Sequence, residues 1–329
     1  MSTLFSLLFL HAAFLAAESA GVVPPPASVE RSPPPPAATQ PDPDAPLYAT
    51  STRMDRIGRV VAPVHINGKG PFRLVVDTGA SHTTFSPRLV QLLGLVPSFD
   101  KTILLNGVTG SAQVPTVQIE RIQAGDMVLE DVQVPVIWSS IMSNADGILG
   151  VAGLRNERIF VDFRRDRIEI TRSRAAFSKI GYLKVPARRV AGGVLAVDTV
   201  IGGVRARAVI DTGAERTLGN TALRHALRSR RRSAKWQDTD VYGATETILS
   251  GQSSIAPPIK LGAATITGTE ITYGDFHIFR LWNLDKRPAA LIGMDVLGTV
   301  GALIIDFRER DIYFDVTSSP PTERTARSK

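Results

Sequence analysis

From Tyr48 to about Thr317 the chain alternates short apolar, β-branched segments with Gly, Asn and Pro at intervals of roughly ten residues, and helical periodicity is rare. That pattern predicts a mostly β fold. Two stretches ahead of it read differently. Residues 4–17, LFSLLFLHAAFLAA, form an apolar run followed by Glu18 and small residues, which predicts a secretory signal peptide over 1–19 with Ala17 at the −3 position. The run of 14 residues is shorter than the roughly 20 needed to span a bilayer; an uncleaved membrane anchor is the alternative. Ten of the 22 prolines fall between Pro24 and Pro46. Missing amide donors and a polyproline II bias make residues 20–47 a stiff Pro-rich linker. Residues 319–329 read as a disordered tail.

Within the β region the sequence repeats itself. Phe72–Ser86, FRLVVDTGASHTTFS, is mirrored by Val204–Asn220, VRARAVIDTGAERTLGN, each a strand running into Asp-Thr-Gly-Ala. Nine residues after each Asp stands a helix-capping residue, Ser86 or Asn220, followed by a short amphipathic pattern with Leu89 or Leu223. Pro87 suits a first helical position. Gly107, in Asn106-Gly107-Val108-Thr109-Gly110, and Gly243, in Tyr242-Gly243-Ala244-Thr245, read as hairpin tips 30 and 32 residues beyond the two Asp. Farther on, Ile148-Leu149-Gly150 precedes Asp162-Phe163-Arg164, and Leu291-Ile292-Gly293 precedes Asp306-Phe307-Arg308. Asp162 and Asp306 lie 144 residues apart, and Gly150 and Gly293 lie 143 apart. Features kept in order and register predict two homologous lobes, 48–180 and 181–318.

Composition narrows the chemistry. The apolar fraction is 43%, the charged fraction 21% and the aromatic fraction 6%, which fits a folded protein rather than a disordered one. The absence of cysteine removes disulfide frameworks, thiol nucleophiles and cysteine-based metal sites. His11, His65, His82, His225 and His277 are scattered, and no HExxH, GxSxG or GxxxxGK[ST] occurs, so metalloprotease, serine-hydrolase and P-loop readings lose their usual support. The net charge of +7 suggests nucleic acid until its location is traced. Arg224, Arg228, Arg230, Arg231, Arg232 and Lys235 supply six of those charges with no acidic residue among them. Nucleic acid is therefore not an expected partner. Arg224, Arg228, Arg231 and Lys235 fall at helical spacing and predict a basic stripe on a helix whose Leu223 and Leu227 face the second lobe. The stripe is either a solvated face or a contact for an anionic membrane or cell-wall surface.

The two Asp-Thr-Gly elements demand a chemical account. Pseudo-two-fold packing of the lobes would bring Asp77 and Asp211 together on the axis. Two carboxylates about 3 Å apart cannot both ionise, so they share a proton. The ionised member can take a proton from a water while the other donates to the carbonyl oxygen of a peptide bond, which is general acid–base catalysis needing neither metal nor cofactor. Gly79 and Gly213 let the backbone turn closely and offer amides to the carboxylates. Thr78 and Thr212 can each donate toward the opposite main chain. Ile148-Leu149-Gly150 and Leu291-Ile292-Gly293 would pack beneath the loops. His82 is read as a surface histidine, since a dyad needs no imidazole. Tyr242 either contacts substrate or packs within its hairpin, and Trp138, Trp236 and Trp282 show no interpretable spacing.

These motifs resemble the aspartic peptidase superfamily over about residues 50–317, and Asp-Thr-Gly-Ala with modest lobe size is closer to retropepsin-like than to pepsin-like enzymes. The resemblance implies two six-stranded β-barrel-type lobes, each with a short helix, and an active site between them. It further implies an aspartic endopeptidase with Asp77 and Asp211 as the catalytic pair, Thr78, Gly79, Thr212 and Gly213 as loop support, and flaps around Gly107-Val108 and Tyr242-Gly243. The implied partner is a polypeptide. Retropepsins are usually homodimers of single lobes, whereas this chain carries both, so a monomer is expected; a bacterial periplasmic peptidase is the type that fits the leader. The flap glycines are expected to need backbone freedom that valine would deny. In many retropepsins an acidic residue after Asp-Thr-Gly-Ala pairs with an arginine after the later glycine. Here those positions hold Ser81 and Glu215, and Val151 and Met294, so that pair is missing. Glu215 is either a solvated charge or a preference for basic substrate side chains. The rival reading is a non-enzymatic peptide-binding or scaffold protein that kept the fold, against which both intact Asp-Thr-Gly elements argue.

Overall fold

The computed structural model describes residues 50–51, 58–138, 142, 144–174, 180–229, 235–245 and 247–316. The expected signal peptide, linker and tail lie outside the described residues. The first half of the chain contributes β1 (Thr50–Ser51), β2 (Val61–Ile66), β3 (Lys69–Val76), β4 (Thr84–Phe85), α1 (Pro87–Leu93), β5 (Ser98–Asn106), β6 (Ser111–Ala124), β7 (Met127–Pro135), β8 (Gly147–Leu149), β9 (Glu157–Asp162) and β10 (Arg167–Arg172). The second contributes β11 (Leu183–Arg189), β12 (Leu195–Ile201), β13 (Val204–Ile210), β14 (Leu218–Asn220), α2 (Thr221–Arg228), β15 (Gln237–Tyr242), β16 (Ile248–Ile255), β17 (Ile259–Leu261), β18 (Ala264–Ile266), β19 (Glu270–Gly274), α3 (His277–Leu281), β20 (Ala289–Ile292), α4 (Met294–Leu297), β21 (Ala302–Asp306) and β22 (Asp311–Asp315). The fold is mostly β, in two sheet-rich lobes.

Local chemistry sets the equivalent turns. Asn67-Gly68 joins β2 to β3 with both φ positive, at 48° and 75°, and Gly202-Gly203 joins β12 to β13 at 54° and 80°. Two-residue turns of this hand match the twist of an antiparallel pair, and Asn and Gly tolerate the backbone they require. Each helix starts at its capping residue: Ser86 Oγ accepts the Leu89 amide at 3.2 Å and Asn220 Oδ1 the Leu223 amide at 2.8 Å. Leu89, Val90 and Leu93 of α1, and Leu223 and Leu227 of α2, are buried against their own lobes. In each half the strand leading to Asp-Thr-Gly is paired in parallel with the later apolar-Gly strand, β3 with β8 and β13 with β20.

The lobes are not closed barrels. The first lobe's sheet runs β4-β8-β3-β2-β6-β5 with β7 on β6, while the second lobe's strands continue a sheet ordered β1-β10-β9-β21-β22-β11-β12-β13-β20-β14-β19-β16-β15. Closure fails because β9 of the first half, which carries β10 and β1 on its other edge, bonds to the second half: β9 pairs antiparallel with β21, joining Asp162 to Ala302 and Arg158 to Asp306. In the second half Pro257-Pro258, which lack amide donors, also split into β16 and β17 what the first half keeps as the single strand β6. The pseudo-two-fold axis can be located from this register. Phe160 and Ile304 occupy equivalent places in the duplication and are each other's cross-strand partners, so the axis passes between them. One continuous apolar core runs through both lobes.

The repeated Asp-Phe-Arg is a turn device. Asp162 Oδ1 accepts the amides of Arg164 and Arg165 at 3.0 and 3.1 Å, and Asp306 Oδ1 those of Arg308 and Glu309 at 3.2 and 3.0 Å. Asp306, fully buried, also takes Arg158 at 2.9 Å and the Ser173 hydroxyl at 2.8 Å, tying the first half to the second across the shared sheet.

The predicted basic stripe is overturned. Helix α2 ends at Arg228, and Lys235 lies beyond it, just before β15, because Gln237–Tyr242 must extend to pair with β16. Arg231 falls outside the described residues. Arg224 donates to Gln252 Oε1 at 3.1 Å, and the Arg228 guanidinium sits 5.1 Å from the ring centre of Trp236, which itself meets Tyr273 edge-on at 5.5 Å. Packing therefore takes up two of the four charges. No helix among the described residues is long and apolar enough to cross a membrane.

Removing one member of a buried ion pair leaves the other uncompensated. Asp306→Ala should cost about 3 kcal/mol or more of stability, read as a lower urea midpoint. Arg121→Ala, which breaks an exposed pair with Glu130 at 2.8 Å, should change the midpoint much less.

Candidate active site

Strands β3 and β13 end in buried residues, Leu74–Val76 and Ala208–Ile210, and each delivers its Asp at the point where the parallel ladder runs out. The Asp77 amide donates to Leu149 O and the Asp211 amide to Ile292 O, both at 3.0 Å. The chain then turns back on the carboxylate. Asp77 Oδ1 accepts the amides of Gly79 and Ala80, both at 2.9 Å, and Asp211 Oδ1 those of Gly213 and Ala214 at 2.8 and 3.1 Å. Glycine is required here by proximity: a β-carbon on Gly79 would overlap the Asp211 carboxyl, and one on Gly213 the Asp77 carboxyl. The apolar-Gly segments support the loops from beneath. Val151 and Met294 amides donate to Ala80 O and Ala214 O at 2.9 and 2.8 Å, while Gly150 and Gly293 amides donate to Thr83 and Thr217 hydroxyls at 3.2 Å each.

Below the carboxyls the two halves are cross-braced. The Thr78 hydroxyl donates to Ile210 O at 2.7 Å and accepts the Thr212 amide at 3.1 Å; the Thr212 hydroxyl donates to Val76 O at 2.6 Å and accepts the Thr78 amide at 3.3 Å. Both threonines are buried. The brace leaves the side chains of Asp77 and Asp211 hydrogen-bonded to each other. Such a contact needs a proton between the oxygens. Burial raises both carboxyls above the ordinary range, and Asp211, 6% exposed, is raised further by the charge of Asp77.

A cavity of about 660 Å³ opens above the pair and is lined by Asp77, Gly79, Asp211 and Gly213 at its floor. Gly107, Val108, Tyr242 and Gly243 line it from the two hairpins, β5–β6 and β15–β16. Apolar walls come from Leu105 and Ile148 on one side and Leu218, Ile278 and Leu281 on the other. The hairpin tips meet over the cavity, with Thr109 and Thr245 hydroxyls 3.2 Å apart. Nearby, His277 Nε2 contacts Asn106 Oδ1 at 3.2 Å, from α3 of the second lobe to the base of the first hairpin. Tyr242 is 62% exposed beside the cavity, opposite Ile248 in the hairpin.

The reason for glycine at the tips differs from the expectation. Neither Gly107 nor Gly243 has a left-handed backbone; instead a β-carbon on Gly243 would overlap the Thr109 hydroxyl, and one on Gly107 would stand 3.4 Å from Thr245 Cγ2. Close approach, not φ, excludes a side chain at Gly243, while a β-carbon at Gly107 would make only ordinary contact. His82 and Glu215 line the cavity as exposed residues, and Glu215 lies 3.7 Å from Arg216. Sequence reasoning missed Arg59, which is buried in the cavity wall, and helix α3, whose five residues give too short a periodic pattern to detect. Position was the available signal for Arg59: counted back from the turns at Asn67-Gly68 and Gly202-Gly203, it aligns with the apolar Val194.

Thr78→Val and Thr212→Val keep shape but remove a donor and an acceptor from a buried site. Each should lower unfolding free energy by about 2 kcal/mol, and the double variant should lose less than the sum because the two hydroxyls form one network. Gly243→Val should speed amide exchange at both hairpin tips, measured by mass spectrometry, with little change in melting temperature.

A family model described as aspartyl protease matches residues 62–152 and 197–296, together more than half of the chain. No curated protein matches it. Each matched stretch carries one Asp-Thr-Gly loop, its hairpin and its apolar-Gly strand, and the chain therefore belongs to the aspartyl protease family.

Proposed function

We propose that the chain is an aspartic endopeptidase, exported from the cytoplasm, that hydrolyses polypeptides with a water activated between Asp77 and Asp211. One observation carries the reading: two buried carboxyls joined by a hydrogen bond on the floor of a cleft that two hairpins cover. With one proton between them, the ionised carboxyl takes a proton from water as its oxygen bonds to the peptide carbonyl carbon. The protonated carboxyl gives its proton to the carbonyl oxygen, forming a gem-diol. On breakdown the departing nitrogen receives a proton from one carboxyl, a gem-diol hydroxyl returns its proton to the other, and the C–N bond breaks. The dyad ends as it began, with one proton.

Further features support the reading. Symmetric amide pairs hold one oxygen of each carboxyl, so the remaining oxygens are preorganised for the exchange. An extended peptide laid beneath the hairpins would be held by main-chain hydrogen bonds, with apolar side chains against the walls. Both Asp-Thr-Gly loops lie in one polypeptide, which supports a monomer as the working unit. The apolar leader followed by the Pro-rich linker supports export, with periplasmic location as the proposal and a retained membrane anchor as its alternative.

Asp77→Asn and Asp211→Asn should each reduce cleavage of a denatured protein by at least about 10²-fold, and wild-type specific activity should not change on dilution. Stability should move oppositely. Asp211 binds a proton in the folded state that the unfolded chain releases near pH 3.8, so stability falls as pH rises from there through the raised value. Asp211→Asn should therefore be more stable than wild type at pH 7 in chemical denaturation. Retained turnover in either variant would refute the dyad. For export, the mature N-terminus should lie near Ala20 in an extracytoplasmic fraction; an intact Met1 chain in membranes would favour the anchor.

A further inference from the structure

We propose that Arg59 makes the two aspartates unequal, fixing the negative charge on Asp77 and the shared proton on Asp211. The inference rests on the dyad reading and gives each carboxyl a separate role: Asp77 as the base toward water, Asp211 as the acid toward the carbonyl oxygen.

The immediate surroundings of the pair cannot make that choice. Each carboxyl ends an equivalent strand, accepts two equivalent amides and sits on an equivalent threonine brace. A symmetric site would place the proton on either side equally. On the cavity wall the duplication breaks at one buried charge. The ladders that pair Val61 with Val75 and Ala196 with Val209 make Val194 the counterpart of Arg59, and Val194 carries an apolar side chain. Arg59 is 4% exposed, lines the same cavity as the pair, and precedes Val60, whose carbonyl accepts the Val76 amide at 2.8 Å. That bond fixes the Arg59 backbone beside the end of the strand that delivers Asp77.

Other charged or titratable groups on the cavity wall are His82, Glu215, Arg216, Asp240 and Tyr242, and all five are more open to solvent than Arg59. Their fields are screened by solvent, whereas a buried guanidinium acts at low effective dielectric. The charge balance runs the same way. Burial pushes Asp77 up, and the contact with Asp211, the Gly79 and Ala80 amides and, least of these, the Arg59 charge push it down; burial and then the charge on Asp77 push Asp211 up. Arg59 is thus a positioning residue for charge, acting through Asp77.

The test is a site-resolved titration of the aspartate carboxyls by ¹³C NMR, in wild type, Arg59→Met and Arg59→Lys, together with the pH profile of kcat/KM on a peptide that the wild type cleaves. Asp77 should ionise at lower pH than Asp211 in wild type. In Arg59→Met the Asp77 midpoint should rise by about 1 pH unit or more, the acid limb of kcat/KM should rise with it, and Arg59→Lys should keep most of the wild-type order. Asp77 ionising last or together with Asp211 in wild type overturns the proposal, as does an unmoved midpoint in folded Arg59→Met. Should Arg59→Met fail to fold, the wild-type order alone decides. The titration needs no turnover, so a chain that cleaves nothing would sink the peptidase reading while the titration still decides the role of Arg59.

Discussion

Two carboxyl groups buried against each other can hold one negative charge between them but not two, and much of this molecule exists to hold them at that separation. Asp77 and Asp211 come from strands 134 residues apart, so their contact depends on how accurately the halves dock. The threonine brace fixes the loops to each other's main chain, and the shared sheet fixes the lobes behind it. Gly79 and Gly213 follow from the same constraint, since each backbone passes where the opposite carboxyl leaves no room for a β-carbon. Stability is sacrificed locally: burial raises both carboxyls, which means the folded state resists the charge that the chemistry needs.

Much of this is legible in the sequence because it is written twice. Local signals hold: the Ser86 and Asn220 caps start helices, the Gly107 and Gly243 segments turn hairpins, and the Asp-Phe-Arg pairs close turns. What the sequence conceals is non-local. Nothing in the apolar pattern of Glu157–Asp162 says that its partner is Ala302–Asp306 rather than a strand of its own lobe, so the repeat suggests closed barrels where one shared sheet exists. The arginine period after Leu223 looks like a helix because 3.6-residue spacing can arise from charge density alone. The demand that Gln237–Tyr242 join β16 cuts that helix short. At Gly243 the residue is right and the expected cause is wrong, since crowding by Thr109 of the opposite lobe is invisible in a single segment.

Divergence between the halves gathers around the carboxyl loops rather than in the core. Thr217 donates its hydroxyl and its amide to Asp295 at 2.7 and 3.1 Å, and burial raises that carboxyl; the aligned residue of the first half is Ala152. Arg59 shares the cavity with Asp77, and the apolar Val194 stands in its place in the second half. Strands of an ancient repeat are held alike by the shared need to bury apolar side chains at fixed alternation. A proton-sharing pair is under the opposite pressure, because two carboxyls asked to act as acid and base at once work better when their environments differ.

The distribution of contacts also decides which seam of the cleft can part. At the floor the lobes share a ladder, a buried ion pair and a continuous apolar core, so separating them would expose apolar area and strand a charge. At the roof the cross-lobe hydrogen bonds are Thr109 to Thr245 and Asn106 to His277, both partly solvated and each worth on the order of 1 kcal/mol. The hairpins that make them carry exposed outer faces, with Leu104, Tyr242 and Ile248 more than half open to solvent. Elements with few buried contacts open at the low end of the free-energy scale. Opening of the cleft therefore falls to the hairpins, while the floor keeps the two carboxyls in register whether the roof is open or shut.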